Sequence, residues 1–190
     1  MTTPLARSPI ARWPDGEASV VLVGMMGAGK TSIGLRLARA LDLPFRDADR
    51  EIEKAAGTTI SNIFAEIGEP AFRQRERLVI RRLLSGPPQV LALGGGAFMD
   101  PETRELIRRR AVSIWLRAGL DELVRRTSRR SDRPLLAGVD PRARLQALLD
   151  EREPIYAEAD VVIDSDVGSM RSVVERTVRM IDERSAGRAG

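Results

Sequence analysis

Ser19-Val20-Val21-Leu22-Val23-Gly24-Met25-Met26-Gly27-Ala28-Gly29-Lys30-Thr31 is the stretch from which the rest of the chain can be read. It opens as an apolar, β-branched run, the pattern of a strand buried on both faces of a parallel sheet. Gly24 to Thr31 then follow the spacing Gly-x4-Gly-Lys-Thr. Beyond it Ile33, Leu37 and Leu41, with Ala38 and Ala40, recur at a helical period. Strand, small-residue loop and helix in this order make a P-loop. Small residues at Gly24, Gly27, Ala28 and Gly29 let successive backbone N–H groups curl around a phosphate, and the following helix adds the positive end of its dipole. Lys30 can reach β- and γ-phosphate oxygens, and the Thr31 hydroxyl can ligate Mg²⁺. The spacing arises by chance in fewer than roughly one in a hundred chains of this length. A nucleoside triphosphate is therefore expected against Gly27, Ala28, Gly29, Lys30, Thr31 and Ser32.

Outward from this stretch, strands and helices alternate. Leu43–Asp47 reads as a second strand, and Asp49–Ala56 and Ser61–Ile67 as short helices separated by Gly57-Thr58-Thr59. Glu69–Leu84 reads as a longer helix closed by Ser85-Gly86-Pro87-Pro88. Gln89–Leu93 is a third strand running into Gly94-Gly95-Gly96. Asp100-Pro101 starts a helix through Glu102–Arg109. Val112–Leu116 is a fourth strand and Asp121–Thr127 a helix. Ser128–Val139 is Arg-rich, without period, and expected to be a mobile loop. Asp140-Pro141 opens a helix to about Arg152, Val161–Asp164 is a fifth strand, and Ser169–Glu183 is a closing amphipathic helix. Apolar strands alternating with helices imply a three-layer α/β domain around a parallel sheet. The expected organisation is one domain over 18–184, with a disordered extension at 1–17 and a frayed tail at 185–190.

Composition narrows the chemistry. The chain has no cysteine and no histidine. That removes disulfides, thiolate catalysis, Cys/His zinc sites and imidazole acid–base chemistry. Catalysis is left to carboxylates, Lys, Arg, hydroxyls, backbone amides and a hard cation held by oxygen. No apolar run approaches the roughly 18 residues of a membrane span. Residues 1–17 lack the apolar core of a secretory signal, although Arg and Ser without acid in Met1–Trp13 leave an organellar-transit reading open. The sequence pI is about 10.4 at a net charge of only +4. The basic side is almost wholly arginine, Lys30 and Lys54 being the only lysines, which reads as compositional bias.

A P-loop alone does not name a reaction. The apolar strand ending in an acid that often accompanies it is not obvious, since Gln89–Leu93 ends in glycines. The nearest acids after a strand are Asp47 and Asp49. In an open parallel sheet, ligands lie beyond the carboxyl ends of the strands, so both could face the γ-phosphate. One could hold a magnesium-bound water while the other meets a substrate hydroxyl; equally, both could simply cap the next helix. Phe72, Arg73 and Glu76 share a helical surface, and Gly94-Gly95-Gly96 can expose backbone N–H groups to a ligand.

Taken in order, GMMGAGKT at 24–31, DAD at 47–49, GEPAFRQRE at 68–76, LGGGA at 93–97, RPLLAG at 133–138 and the ERxPxY pattern at 151–156 resemble the shikimate kinase family, from about Val20 to Ile181. The resemblance implies a P-loop, nucleoside-monophosphate-kinase-like fold. Its five-stranded parallel sheet would run 2-3-1-4-5, with a mobile lid at about 126–140. It implies ATP-dependent phosphorylation of shikimate by a monomeric cytoplasmic enzyme of aromatic amino-acid biosynthesis, with Mg²⁺ as cofactor. It also implies roles. Asp49, Arg73, Gly94, Gly95, Gly96 and Arg152 would bind shikimate, the arginines clamping its carboxylate. Glu76 would orient Arg73, and Phe64 and Phe72 would wall the pocket. Lys30 and the lid's Arg133 would stabilise charge on the transferring phosphoryl group. Asp49 would receive or orient the attacking hydroxyl. Thr31 directly and Asp47 through water would hold Mg²⁺, and Arg126 would lie against adenine or phosphates. Arg46, Ala48 and the loop Ser165–Met170 depart from the family's usual residues.

Other readings compete. A gluconate-type sugar-acid kinase would share loop and lid without requiring the Arg73–Glu76 and triple-glycine signatures. A basic nucleotide-dependent nucleic-acid binder is suggested by the pI and by the runs Arg108–Arg110 and Arg129–Arg130. The interspersed acids and the lack of an aromatic stacking array argue against it. An inactive kinase-like regulator is disfavoured because every matched catalytic position is filled. The reading is therefore of small-molecule substrates, with neither nucleic acid nor membrane as partner.

Overall fold

The computed structural model describes residues 18–128 and 140–188, the side chains of 185–188 excepted. The expected extension at 1–17, Arg133 and most of the expected lid lie outside the described residues. Strand β1 (Ser19–Val23) is the centre of a five-stranded sheet. The others are β2 (Phe45–Asp47), β3 (Val90–Ala92), β4 (Ala111–Arg117) and β5 (Val161–Asp164), in the order β2-β3-β1-β4-β5. Every pairing is parallel. Val20 faces Val90 on one side and Val112 on the other, and Val20 to Val23 are essentially without solvent contact. This is why the run reads as continuously apolar: both faces of a central parallel strand are covered by helices. The edge strands are less apolar, with Arg46 of β2 and Val162 of β5 exposed.

Helix α1 (Lys30–Leu41) buries Ile33, Leu37 and Leu41, spaced one turn apart, against the sheet. Each such burial stabilises by about 1.5–3 kcal/mol. Helix α2 (Ala48–Ala56) starts directly after β2, with the Asp47 carboxylate as N-cap accepting from the Asp49 N–H. β2 is shorter than the expected 43–47, because Leu43 and Pro44 precede the ladder and serve as its approach. The Pro44 carbonyl already accepts from Val90 N.

The two expected helices at 61–67 and 69–84 form one element, α3 (Ile60–Leu84), broken in backbone angles at Gly68. Gly68 sits at φ 73°, ψ 171°, a conformation essentially restricted to glycine. The break aims the two segments differently, so that Phe64 of the first meets Phe72 of the second, ring centroids 4.3 Å apart. After β3, a 3-10 turn at Ala97–Met99, not foreseen from periodicity, leads into α4 (Pro101–Arg110). Helix α5 (Leu120–Thr127) follows β4, and α6 (Pro141–Tyr156) opens with Asp140 as N-cap and Pro141 in its first turn. α6 runs past the expected end at Arg152. Pro154 removes a backbone donor, but Tyr156 is wholly buried, and packing outweighs the lost bond. Helix α7 (Met170–Arg188) closes the chain, extending beyond the expected Glu183.

Candidate active site

The carboxyl ends of β1, β2 and β3 deliver three loops to one side of the sheet. The loop after β1 carries the phosphate-binding motif. Gly27 and Gly29 take φ of 86° and 93°, angles that side chains resist. Lys30 Nζ donates to the carbonyls of Gly24 (2.8 Å) and Met25 (2.9 Å), folding the lysine back across the loop. Ala28 is buried, while Ser32 is exposed and offers its carbonyl to Arg36 Nη1. Thr31 Oγ1 donates to Asp47 Oδ2 at 2.9 Å, so the two expected metal-holding side chains are in contact. The capping reading of Asp47 and the functional one are both accommodated, since its other oxygen takes the Asp49 N–H.

Asp49 is half-buried one residue into α2. Burial pushes its carboxyl above the usual range, neighbouring Asp47 adds to this, and Lys30 offsets part of it. Arg73 of α3 donates to Glu76 at 2.7 Å and to Glu69 at 3.0 Å, with its guanidinium over the rings of Phe72 (5.2 Å) and Phe64 (5.9 Å). Glu76 is buried, and burial raises its pKa even though Arg73 pulls the other way.

The triple glycine binds these parts together. A Cβ at Gly94 would lie 2.6 Å from Asp49 Oδ1 and 3.2 Å from Glu76 Oε1. One at Gly95 would lie 3.3 Å from Arg152 Nη1, and one at Gly96 2.5 Å from Arg73 Nη2. Hydrogen at Gly94 and Gly96 lets Asp49 and Arg73 approach the turn this closely, and at Gly95 a Cβ would crowd Arg152 by a few tenths of an ångström. Arg152 of α6 is 7% exposed, and its Nε and Nη1 have no hydrogen-bond partner among the described residues. A buried guanidinium with unused donors is costly unless an anion supplies the acceptors.

On the other flank of the phosphate loop, Arg126 of α5 donates to the Gly27 carbonyl (3.1 Å) and the Ser165 carbonyl (3.2 Å). Glu122 fixes it from one turn earlier, and hydrogen bonds from Arg125 and Arg126 lower the Glu122 pKa to about 2. A recess of about 490 Å³, lined in part by Gly119, Glu122, Arg125, Arg142 and Asp166, opens beside them. Glu122 is not among the expected site residues, because a Glu one turn before an Arg looks like an ordinary surface pair; Ser165 and Asp166 fall in the loop Ser165–Met170 that departs from the family's usual residues. Among the described residues no group of three or more His, Cys, Asp or Glu side chains gathers as a metal site.

A parallel sheet in this order, a phosphate loop after its central strand and a second polar corner beside it define a P-loop kinase that acts on a small acceptor. Residues 26–182 match the family model described as shikimate kinase. A shikimate kinase of Caulobacter vibrioides is 58% identical over 152 residues, covering 80% of this chain and 76% of that protein. One of Bradyrhizobium diazoefficiens is 52% identical over 172 residues, covering 90% and 83%. Among solved structures, the Acinetobacter baumannii shikimate kinase in complex with shikimate superposes with a TM-score of 0.83 at 39% identity, covering 86% of this chain and 92% of that one. A gluconokinase from Sinorhizobium meliloti, at TM-score 0.63 and 19% identity over 90% of this chain and 94% of that one, shares the fold alone. The chain belongs to the shikimate kinase family.

Proposed function

We propose that the chain transfers the γ-phosphoryl group of ATP to a hydroxyl of shikimate, using the two corners just described as donor and acceptor sites. The observation that carries the reading is Arg152, a buried guanidinium with unused donors beside the glycine turn. A small carboxylate is the ligand such donors fit, because a planar guanidinium matches a carboxylate's two oxygens. Arg73, held by Glu76, supplies the second half of the clamp, with Phe64 and Phe72 as the apolar wall. Asp49 faces the acceptor hydroxyl across the turn. The hydroxyl oxygen attacks the γ-phosphorus, the bond to the β-bridging oxygen breaks, and the hydroxyl proton passes to the Asp49 carboxylate or onward to solvent, ADP leaving. Phosphoryl transfer asks mainly for positioning and charge stabilisation. Lys30 supplies charge from the phosphate loop, and Arg133, outside the described residues, is assigned the same task. Gly27, Ala28, Gly29, Thr31 and Ser32 surround the phosphates, and Arg126 lines the nucleotide's flank.

The oxygen donors at Thr31 and Asp47 suit Mg²⁺, which prefers a few protein oxygens together with phosphate and water. When bound it would neutralise charge on the β- and γ-oxygens. We read residues 18–184 as one kinase domain of a monomeric cytoplasmic enzyme serving aromatic amino-acid biosynthesis. No helix among the described residues is long and apolar enough to cross a membrane. Nucleic-acid binding is disfavoured, because Arg108 and Arg109 of the basic run are each tied to Glu105, at 2.7 and 2.8 Å. A coupled assay with ATP and Mg²⁺ offering shikimate and gluconate side by side tests the reading. Turnover of shikimate is expected, and turnover of gluconate with shikimate inert would overturn it.

A further inference from the structure

Tyr156 ends α6 one turn beyond Arg152, and nothing in the reaction just described uses it. It is wholly buried, and its oxygen meets the Arg152 side chain while its proton is directed to the backbone. Tyr156 Oη donates to the carbonyl of Gly95, the middle residue of the glycine turn. The other carbonyls of that turn are also engaged from within the protein. Gly94 O accepts from Ala97 N and Gly96 O from Met99 N, both at 3.1 Å. Those two bonds belong to the 3-10 turn itself, so the Gly95 carbonyl is the one whose direction is set by a distant element.

A peptide unit is planar and trans, so fixing the carbonyl of Gly95 also fixes the N–H of Gly96 on the opposite side of the same plane. Gly96 is where Arg73 packs, and Gly95 is where Arg152 packs. The Tyr156 ring, meanwhile, lies 6.4 Å from Phe98 of the 3-10 turn and 5.9 Å from Trp115 of β4, centroid to centroid. One side chain thus ties the helix that carries Arg152, the turn that receives it and the sheet beneath them. Burial pushes the Tyr156 pKa up to about 12, with the nearby Arg152 charge offsetting part of it, so the phenol stays a donor at any working pH.

We infer that Tyr156 is a positioning residue for the acid acceptor: its hydroxyl sets the plane of the Gly95–Gly96 peptide and thereby the geometry in which Arg152 and Arg73 meet the substrate carboxylate. This rests on the acceptor role proposed above for Gly95, Arg73 and Arg152. A merely structural tyrosine would make a different prediction, because a core residue affects both substrates through stability and neither one selectively.

The test is steady-state kinetics and melting curves on Tyr156→Phe, Phe98→Leu and Arg152→Ala beside the wild type. Tyr156→Phe keeps the ring, leaves the Gly95 carbonyl without its donor and removes the oxygen that meets Arg152. A rise in KM for shikimate of roughly tenfold is expected, the scale of a buried acceptor left unmade, with kcat and KM for ATP within about twofold of wild type. Phe98→Leu disturbs the ring packing but not the hydroxyl, and is expected to lower Tm without changing the ratio of the two KM values. An unchanged shikimate KM in Tyr156→Phe, an equal change for ATP, or the same shikimate-selective rise in Phe98→Leu would each overturn the inference. Arg152→Ala separates the two levels. If it leaves shikimate affinity intact, the acceptor reading itself fails; if it abolishes affinity while Tyr156→Phe does nothing, only the role of Tyr156 fails.

Discussion

The phosphate loop is made of contiguous residues held by one another and by Asp47 of β2, whereas the acceptor corner is gathered from three helices and a turn and is left partly unsatisfied. In the loop, Lys30 is held by the carbonyls of Gly24 and Met25, and Thr31 by Asp47. In the acceptor corner, Arg152 is buried with idle donors, and burial raises the pKa of both Asp49 and Glu76. The first is a local device that keeps its shape without ligand. The second stores an electrostatic cost that a small hydroxylated carboxylate would relieve, the usual way in which a site trades stability for function. Three perturbations probe the contrast.

The largest effect is expected at Lys30. Lys30→Ala removes charge from the transferring phosphoryl group, and kcat should fall by about three orders of magnitude or more. Shikimate binding measured without nucleotide should survive. Near-normal turnover in this variant would break the contrast at its donor side. An intermediate effect is expected at Gly96, where an added Cβ meets the Arg73 guanidinium at 2.5 Å. The backbone there is ordinary, φ −97° and ψ −14°, so Gly96→Ala displaces Arg73 without straining the chain. A shift of about an ångström in a positioning group costs on the order of a hundredfold, and the loss should appear in kcat/KM for shikimate. An unaffected kcat/KM would mean that Arg73 is not positioned by the turn.

The smallest effect is the pH response. Asp49 must be ionised to accept a proton, and its pKa is raised by burial and then by Asp47. The acid limb of kcat/KM should therefore lie above the ordinary carboxylate value of about 4. Stability runs the other way. For Asp49 and Glu76 the folded-state pKa exceeds the unfolded one, so their contribution to ligand-free stability is present below the unfolded value and is lost as pH rises through the folded one. Asp49→Asn should flatten the acid limb, and an unchanged limb would remove Asp49 from the proton's path.

The same contrast explains what could be read from the chain alone. The phosphate loop is legible because its spacing, flanking strand and helix are all local, and the parallel sheet because central strands such as Val20–Val23 are apolar on both faces. The break at Gly68 was visible from the Gly68-Glu69-Pro70 sequence, although the helix resumes at once across it. The acceptor corner was legible only as a set of ordered motifs resembling a family. Nothing in the spacing of Asp49, Arg73, Gly94–Gly96 and Arg152 states that they meet, because their proximity is created by the strand order β2-β3-β1 and by the approach of α6 to the glycine turn. The hold of Arg126 on Ser165 is likewise tertiary, whereas Glu122 lies one turn from Arg126 and reads as an ordinary surface pair. Arg126 Nη2 reaches the Ser165 carbonyl across 39 positions in the chain.

The most direct measurement is a crossed titration calorimetry experiment: shikimate and ATP each titrated into Lys30→Ala and Arg152→Met, with the ligand-free melting temperature recorded for both. Replacing a buried charge whose Nε and Nη1 donors are idle by an apolar chain of similar length is often neutral or stabilising. Arg152→Met should therefore melt no lower than the wild type, lose shikimate affinity by at least about tenfold and keep its affinity for ATP, while Lys30→Ala should keep its affinity for shikimate. Equal loss of both ligands in Arg152→Met, or a clear drop in its ligand-free melting temperature, would contradict the account of an acceptor corner held open against stability for its substrate.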